Sequence, residues 1–351
     1  VFYIIINWNN IVKIKKIKIY SMTHLVESSL KTANYNHANR DSWIIEITNS
    51  DNITGYGEAS PLPNFNNETY EQVGYSLEGF KLALEGTKEI DLKEILIMSK
   101  VHCFEVPSAC FAIETAIYDI LAKENSLPMN LYLNSNAFSK ISVNGIYMLS
   151  DDKKYNVMKV KCGFRNLYDE VELLESLTKK YGEAMKFILD LNESYDLPKA
   201  IRFFKEVAKF NIEYIEQPIK QDNLEDLLEL SFHTDIQIGL DESIKNINSI
   251  EMALKINCGD VFIIKPQTFG SFSNVNKAIT LVRQANKTPI ITSSLEGVIG
   301  RLSTMHLACA NLIDNACGLG FEPIYKNEKK YIPTVINGSV DISNMIGLGY
   351  N

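Results

Sequence analysis

From residue 141 onward the chain repeats one pattern, a short apolar run followed by an amphipathic stretch of helical period. The runs are Ile141–Tyr147, Val157–Lys161, Phe187–Leu191, Ile212–Glu216, Ile236–Asp241, Val261–Lys265, Pro289–Ser293 and a weak last one near Cys317–Gly320. The stretches between them include Leu167–Tyr181, Leu197–Phe210, Leu224–Leu230, Ile250–Ile256, Asn274–Ala285 and Leu302–Leu312. Runs of four to seven apolar residues alternating with helices indicate strands buried on both faces, and eight such units in series indicate a parallel barrel.

The residues ahead of the repeat read differently. Ile11–Tyr20, Ser42–Thr48 and Tyr56–Ala59 are β-rich, while Glu68–Leu84 and Pro107–Glu124 carry helical periodicity. Ser29–Arg40, with Asn34, Asn36 and Asn39, reads as a mobile loop. We therefore expect an α+β module over 1–135, a barrel over 136–324, and an irregular tail, 325–351, that packs back on the first module.

Composition narrows the partners. The 351 residues are 46% apolar and carry a net charge of −8. The one basic run, Lys13-Ile14-Lys15-Lys16-Ile17-Lys18, partly alternates with apolar residues and suits a solvated edge strand, so neither nucleic acid nor a membrane is expected as a partner. The apolar start, Val1–Ile6, is too short to span a bilayer. Six scattered cysteines without a Cys-x-x-Cys pair suit reduced, buried thiols and a cytoplasmic location.

Charge falls at the ends of the apolar runs. Lys159 and Lys161 close the second, Asp190 (followed by Asn192) the third, Glu216 the fourth, Asp241 the fifth and Lys265 the sixth. Residues two apart on a strand share a face, so Lys159 and Lys161 can both enter the barrel mouth, where barrel enzymes keep their sites. Singly, each has a plainer reading as a helix cap or a solvated strand end; five on consecutive strands do not. Three enclosed carboxylates need a compensating charge. With no histidine or cysteine beside them, Mg²⁺ fits best and Mn²⁺ next. An ordinary lysine titrates at about 10.4, and a base near neutrality needs about 7 to 8; a dication, neighbouring ammonium groups and burial supply that change. On the second and sixth of eight strands, Lys161 and Lys265 should face each other and act on a proton α to a carboxylate.

Lys159-Val160-Lys161, Asp190-Leu191-Asn192, Glu216-Gln217-Pro218, Asp241-Glu242-Ser243 and Lys265, with Gly55-Tyr56-Gly57-Glu58-Ala59-Ser60-Pro61-Leu62-Pro63, resemble the signature of the enolase superfamily in its muconate-lactonizing-enzyme-like subgroup. The resemblance implies an α/β fold, a modified TIM barrel of (β/α)7β form with an N-terminal α+β capping domain. Lys265-Pro266 with Phe269-Gly270-Ser271, and Thr292-Ser293-Ser294-Leu295-Glu296 with Gly300, resemble the o-succinylbenzoate synthase branch. That branch implies a Mg²⁺-dependent dehydration in menaquinone synthesis, with Asp190, Glu216 and Asp241 on the metal, Lys161 as base and Lys265 stabilising the enediolate. It further implies that Lys159 supports the bound carboxylate and that Asn192, Ser293 and Ser294 are candidate substrate contacts; the two serines could equally cap the next helix. N-acylamino acid racemases use the same lysine pair and stay open. No histidine ends the seventh run and no Asp-x-Asp follows the eighth, which argues against a histidine-based racemase and a dipeptide epimerase.

Overall fold

The computed structural model describes residues 11–31, 36–62, 65–84, 89–150, 154–320, 325 and 331–350. The apolar start Val1–Ile6 lies outside them. Strands β1 (Ile11–Val12) and β5 (Ile90–Asp91) form a short antiparallel pair. Strands β2 (Ile14–Lys31), β3 (Asn36–Asn49) and β4 (Thr54–Ala59) form an antiparallel sheet in that order. From Ile14 onward the lysine-rich run lies on β2, which is an edge strand, and Lys18 pairs with Glu46 across the ladder at 3.0 Å.

Helices α1 (Tyr70–Leu84), α2 (Leu92–His102) and α3 (Pro107–Glu124) complete the first module, and the short α4 (Met129–Leu133) follows. Fifteen of the eighteen residues of α3 are buried, so it is the module's central rod. Strand β4 lies directly on it. A Cβ at Gly55 would stand 2.0 Å from Ala116 O and one at Gly57 1.9 Å from Ala112 O, so only glycine permits this approach.

Ser29–Arg40, read above as a loop, is mostly ladder. Leu30 pairs with His37 and Lys31 with Asn36, across an irregularity that opens after Leu25. Cross-strand backbone bonds do not require apolar side chains, and the asparagines concealed the strand; residues 32–35 of the segment lie outside the described set.

The barrel strands are β7 (Gly145–Ile146), β8 (Val157–Lys161), β9 (Lys186–Asp190), β10 (Ile212–Glu216), β11 (Ile238–Leu240), β12 (Val261–Ile264) and β13 (Thr288–Ile291), all parallel and in sequential order. Single parallel bridges, Thr292 to Gly318 and Val143 to Cys317, join the two ends of this sheet. The weak eighth run is thus a pair of bridges. The first run divides: β6 (Lys140–Ser142) leaves the barrel sheet and pairs with β14 (Ser339–Asp341) of the tail.

Outside the strands lie α5 (Leu167–Tyr181), α6 (Leu197–Val207), α7 (Leu224–Ser231), α8 (Ile247–Ile256), α9 (Pro266–Phe269), α10 (Phe272–Gln284) and α11 (Val298–Ala310). Sequence explains their starts. Asn166, Asp196, Asn223, Asn246 and Ser271 each accept a bond from the backbone N–H three residues on. In α6 the face Ala200, Phe203, Phe204 and Val207 is buried, following the i, i+3, i+4, i+7 spacing.

Inside the barrel, Ile188, Tyr214, Val261, Ile263 and Ile290 form their own core, against which Val157 packs. Alternation from Val157 then sends Lys159 and Lys161 to the same interior side. The tail meets the first module: Leu348 N donates to Asp119 Oδ1 at 2.8 Å, and the Tyr350 ring lies edge-on to Tyr56 at 5.1 Å. All six cysteines are buried and free. Among the described residues no helix is long and apolar enough to cross a membrane.

Candidate active site

Strand register assembles the charged cluster. Lys161 of β8 lies beside Asp190 of β9, and Asp190 beside Glu216 of β10. Asp241 follows β11 by one residue, and Lys265 follows β12 by one. Lys161 and Lys265 stand four positions apart around an eight-position ring, hence on opposite sides of its mouth.

The side chains interlock. Lys159 Nζ donates to both oxygens of Glu216 at 2.7 Å and reaches Asp190 Oδ2 at 3.5 Å. Lys161 Nζ donates to Asp190 Oδ2 at 2.6 Å and Asn192 Oδ1 at 2.8 Å. Asn192 turns its amide N–H to Glu242 Oε1 at 3.0 Å. Lys265 pairs with Asp241 and lies 4.3 Å from the centroid of the Phe65 ring. The backbone turns sharply here: Asn192, Glu193 and Gln217 all have positive φ, at 39°, 65° and 36°. Gln217 holds the fifth-strand end, its Oε1 accepting from Asp241 N at 3.0 Å and Ser243 N at 3.1 Å.

Burial and like charge shape the acids. Enclosure, with the charges of Asp190 and Asp241, pushes Glu216 up to about 7 against the opposing pull of Lys159. Burial and the same two aspartates push Glu242 up to about 8. For Asp190, burial is overcome by Lys161 and Lys159, which hold it below the usual carboxylate range. Glu216 and Asp190, opposed by burial, drive Lys159 well above its ordinary value.

This donor set suits a hard dication. Four carboxylates (Asp190, Glu216, Asp241 and Glu242) face three amines, every donor is oxygen, and Glu242 Oε2 is buried without a partner. Among the described residues no three acidic, histidine or cysteine side chains converge on one point as arranged. The amines account for this: Lys159 lies between Asp190 and Glu216, and Lys265 lies on Asp241.

Ser293 and Ser294 follow β13 on the same rim. Ser293 Oγ donates to Glu296 Oε2 at 3.1 Å and accepts from Leu295 N at 3.0 Å, and Ser294 N also donates to Glu296. Neither serine caps α11, whose N-cap is Gly297 with no side-chain bond, so the capping alternative is set aside. Ser294 Oγ is buried without a partner.

Sequence reasoning did not single out Phe65, Glu242, Gln217 or Gln267. Gln267 donates to Glu58 O at 2.8 Å and accepts from Ser60 N at 3.2 Å, docking the Lys265 turn onto the first module. The motifs contained Glu242 and Gln217 but gave no sign of their partners; Phe65 carried no signal at all.

Comparisons with known proteins bear on the family and the fold. A family model described as "Enolase C-terminal domain-like" matches residues 148–351, and one described as "MenC, N-terminal domain" matches residues 14–120. The chain is 22% identical over 318 residues to an N-succinyl-L-Arg/Lys racemase of Bacillus cereus, covering 86% of this chain and 85% of the relative. It is 24% identical over 359 residues to the o-succinylbenzoate synthase of Bacillus subtilis, covering 96% and 94%. A hydrophobic dipeptide epimerase of Enterococcus faecalis is 26% identical over 314 residues, covering 85% and 87%. Among solved structures, the L-Ala-D/L-Glu epimerase of Bacillus subtilis superposes with a TM-score of 0.85 at 21% identity, over 96% of this chain and 98% of that one. The Enterococcus faecalis dipeptide epimerase, solved with Mg and the dipeptide L-Leu-L-Tyr, superposes with a TM-score of 0.84 at 22% identity, over 96% and 99%. With the first model spanning more than half of its length, the chain belongs to the enolase C-terminal domain-like family and is an enzyme of the enolase superfamily, in the muconate-lactonizing-enzyme-like subgroup.

Proposed function

We propose that the protein is an o-succinylbenzoate synthase, dehydrating 2-succinyl-6-hydroxy-2,4-cyclohexadiene-1-carboxylate to o-succinylbenzoate in menaquinone synthesis. The observation that carries the chemistry is the opposition of Lys161 and Lys265 across a mouth lined by buried carboxylates. Two further observations favour dehydration: the o-succinylbenzoate synthase relative aligns along 96% of the chain, and Lys265-Pro266 with Phe269-Gly270-Ser271 resembles the lysine motif of that branch.

In this reading Asp190, Glu216 and Asp241 hold Mg²⁺, with Mn²⁺ as the substitute. When bound, the ion supplies Lewis acidity to the substrate carboxylate. Asp190 committed to a cation would give up its bond to Lys161, whose amine then faces the substrate. Lys161 takes the proton from the carbon bearing the carboxylate, leaving an enediolate. The Lys265 ammonium, walled by Phe65, opposes the negative charge from the other face. The ring C–O bond then breaks, and Lys161 returns its proton to the departing hydroxide, so that water leaves on the same side and the ring becomes aromatic. Lys159 stays with Glu216 and the bound carboxylate, while Asn192, Ser293 and Ser294 contact the remaining polar groups. The partner is thus a small carboxylate and not nucleic acid or a membrane; the free thiols support a cytoplasmic location.

A second reading is N-acylamino acid racemisation, favoured by the similarity to the N-succinyl-L-Arg/Lys racemase. There the two lysines serve opposite faces of one α-carbon. The absence of Asp-x-Asp after Gly320 disfavours a dipeptide substrate. The near-ultraviolet absorbance of the conjugated dienyl ketone should fall as the cyclohexadiene acid aromatises with Mg²⁺. Racemisation with α-deuterium exchange of N-succinyl amino acids in D₂O, and no aromatisation, would reverse the choice.

A further inference from the structure

The seventh-strand loop, Ser293 to Gly297, is held by residues of the first module and by Tyr325. Arg40 Nη2 donates to Ser294 O at 3.4 Å and to Ser60 O at 3.0 Å. The Tyr325 hydroxyl donates to Leu295 O. The Glu58 carboxylate accepts from Gly297 N at 2.6 Å and Gly300 N at 2.9 Å, at the first turn of α11. Leu295 sits at φ 60°, a conformation costing roughly 1–3 kcal/mol that persists only where its surroundings over-determine it.

His24 stands where these supports meet. Its Nε2 is 3.1 Å from Glu58 Oε1 and 2.9 Å from Ser42 Oγ, and its ring centroid is 5.2 Å from that of Tyr325. It is the direct cross-strand neighbour of Arg40, so both buried side chains leave the hairpin on one face and enter the same junction. Gly297 is what admits the ring. A Cβ at 297 would lie 2.1 Å from His24 Cε1, 2.5 Å from Nε2 and 2.8 Å from Glu58 Oε1. Gly297 has φ −70°, so the backbone itself makes no demand for glycine; the demand is for space.

We propose that His24 is a positioning residue for the seventh-strand loop, seated in the space left by Gly297 and acting through Glu58 on the backbone that carries Ser293 and Ser294. The proposal rests on the reading that this loop meets the substrate. It predicts that a side chain at 297 expels the ring and loosens the loop, while leaving the lysine chemistry in place.

The test is a size exchange in the full chain, Gly297→Ala, His24→Ala and the two together. Gly297→Ala should raise KM about tenfold with kcat nearly unchanged, the size of a moderately overpacked contact. It should also speed hydrogen exchange at the Ser294, Gly297 and Gly300 amides. In the double variant the methyl added at position 297 no longer meets a ring and is left with the Glu58 oxygen as its near neighbour, so the effects on KM and exchange should fall well short of the product of the two single effects. Wild-type KM and exchange in Gly297→Ala, or effects of the two substitutions that simply multiply, would overturn the proposal. Hydrogen exchange needs no substrate, so it decides the role of His24 even if the wild-type protein fails to aromatise the cyclohexadiene acid, a result that would instead overturn the function.

Discussion

Lys161 is bound by two acceptors and Lys265 by one carboxylate and an aromatic face, so the two amines are not equivalent. Removing the Lys161 amine leaves Asp190 still paired with Lys159. Lys161→Ala should therefore fold while losing turnover by about 10²–10⁴-fold, the usual contribution of a positioned acid–base group; circular dichroism beside the absorbance assay checks both halves. Phe65→Ala should leave the barrel intact and remove the ring over Lys265, a contact of about 0.5–2 kcal/mol, read as a several-fold fall in kcat. Activity lost in EDTA should return with added Mg²⁺; undiminished turnover in EDTA would exclude the carboxylates as metal ligands. The lysines and metal-ligand carboxylates were legible as residues, because charge at the end of an apolar run has few structural uses. Glu242 was not, because what marks it is an enclosed oxygen without a partner, which exists only after β9 and β11 are brought to the same mouth.

At the scale of elements, the contact between β4 and α3 sets how the first module is built. The carbonyls of Ala112 and Ala116 occupy the places where side chains at 57 and 55 would begin. Gly57→Ala drives a methyl into backbone, which cannot step aside as a flexible side chain can. It should cost at least the roughly 1–3 kcal/mol of an overpacked core, measurable as a fall in urea midpoint with the cooperativity of unfolding retained. Boundaries of β8, β10, α3 and α5 were readable to the residue, because apolar period meets a charge at the end of each strand, Pro107 at the start of α3 and the Asn166 cap at the start of α5. The far part of the hairpin formed by β2 and β3, within Ser29–Arg40, was not, since a polar ladder leaves no period in the sequence and its pairing comes from the opposite strand.

For the whole molecule, the tail and α11 converge on α3 and α4, and His306 is a titratable group enclosed there. Burial lowers it from the ordinary 6.5 to about 4, and its Nδ1 accepts from Asn130 N at 3.2 Å. A histidine whose folded value lies below its unfolded one is buried neutral. Its contribution is complete above pH 6.5, declines as pH falls, and is lost by about pH 4, amounting to roughly 3 kcal/mol. The acids pushed upward elsewhere act in the opposite direction, so the measurement is a signed difference: His306→Gln should lower the value of unfolding free energy at pH 7 minus that at pH 4.5 relative to wild type. The repeat of apolar run and helix determined by itself that a parallel barrel forms and that Lys159, Lys161, Asp190, Glu216, Asp241 and Lys265 come to one end of it, because strand period and the one-way order of a barrel leave little freedom. Only tertiary structure decided which amine meets which carboxylate, that β6 leaves the barrel for the tail, and that His24 meets Gly297. Those outcomes depend on close packing between segments far apart in the chain, where a single missing Cβ makes room for a ring.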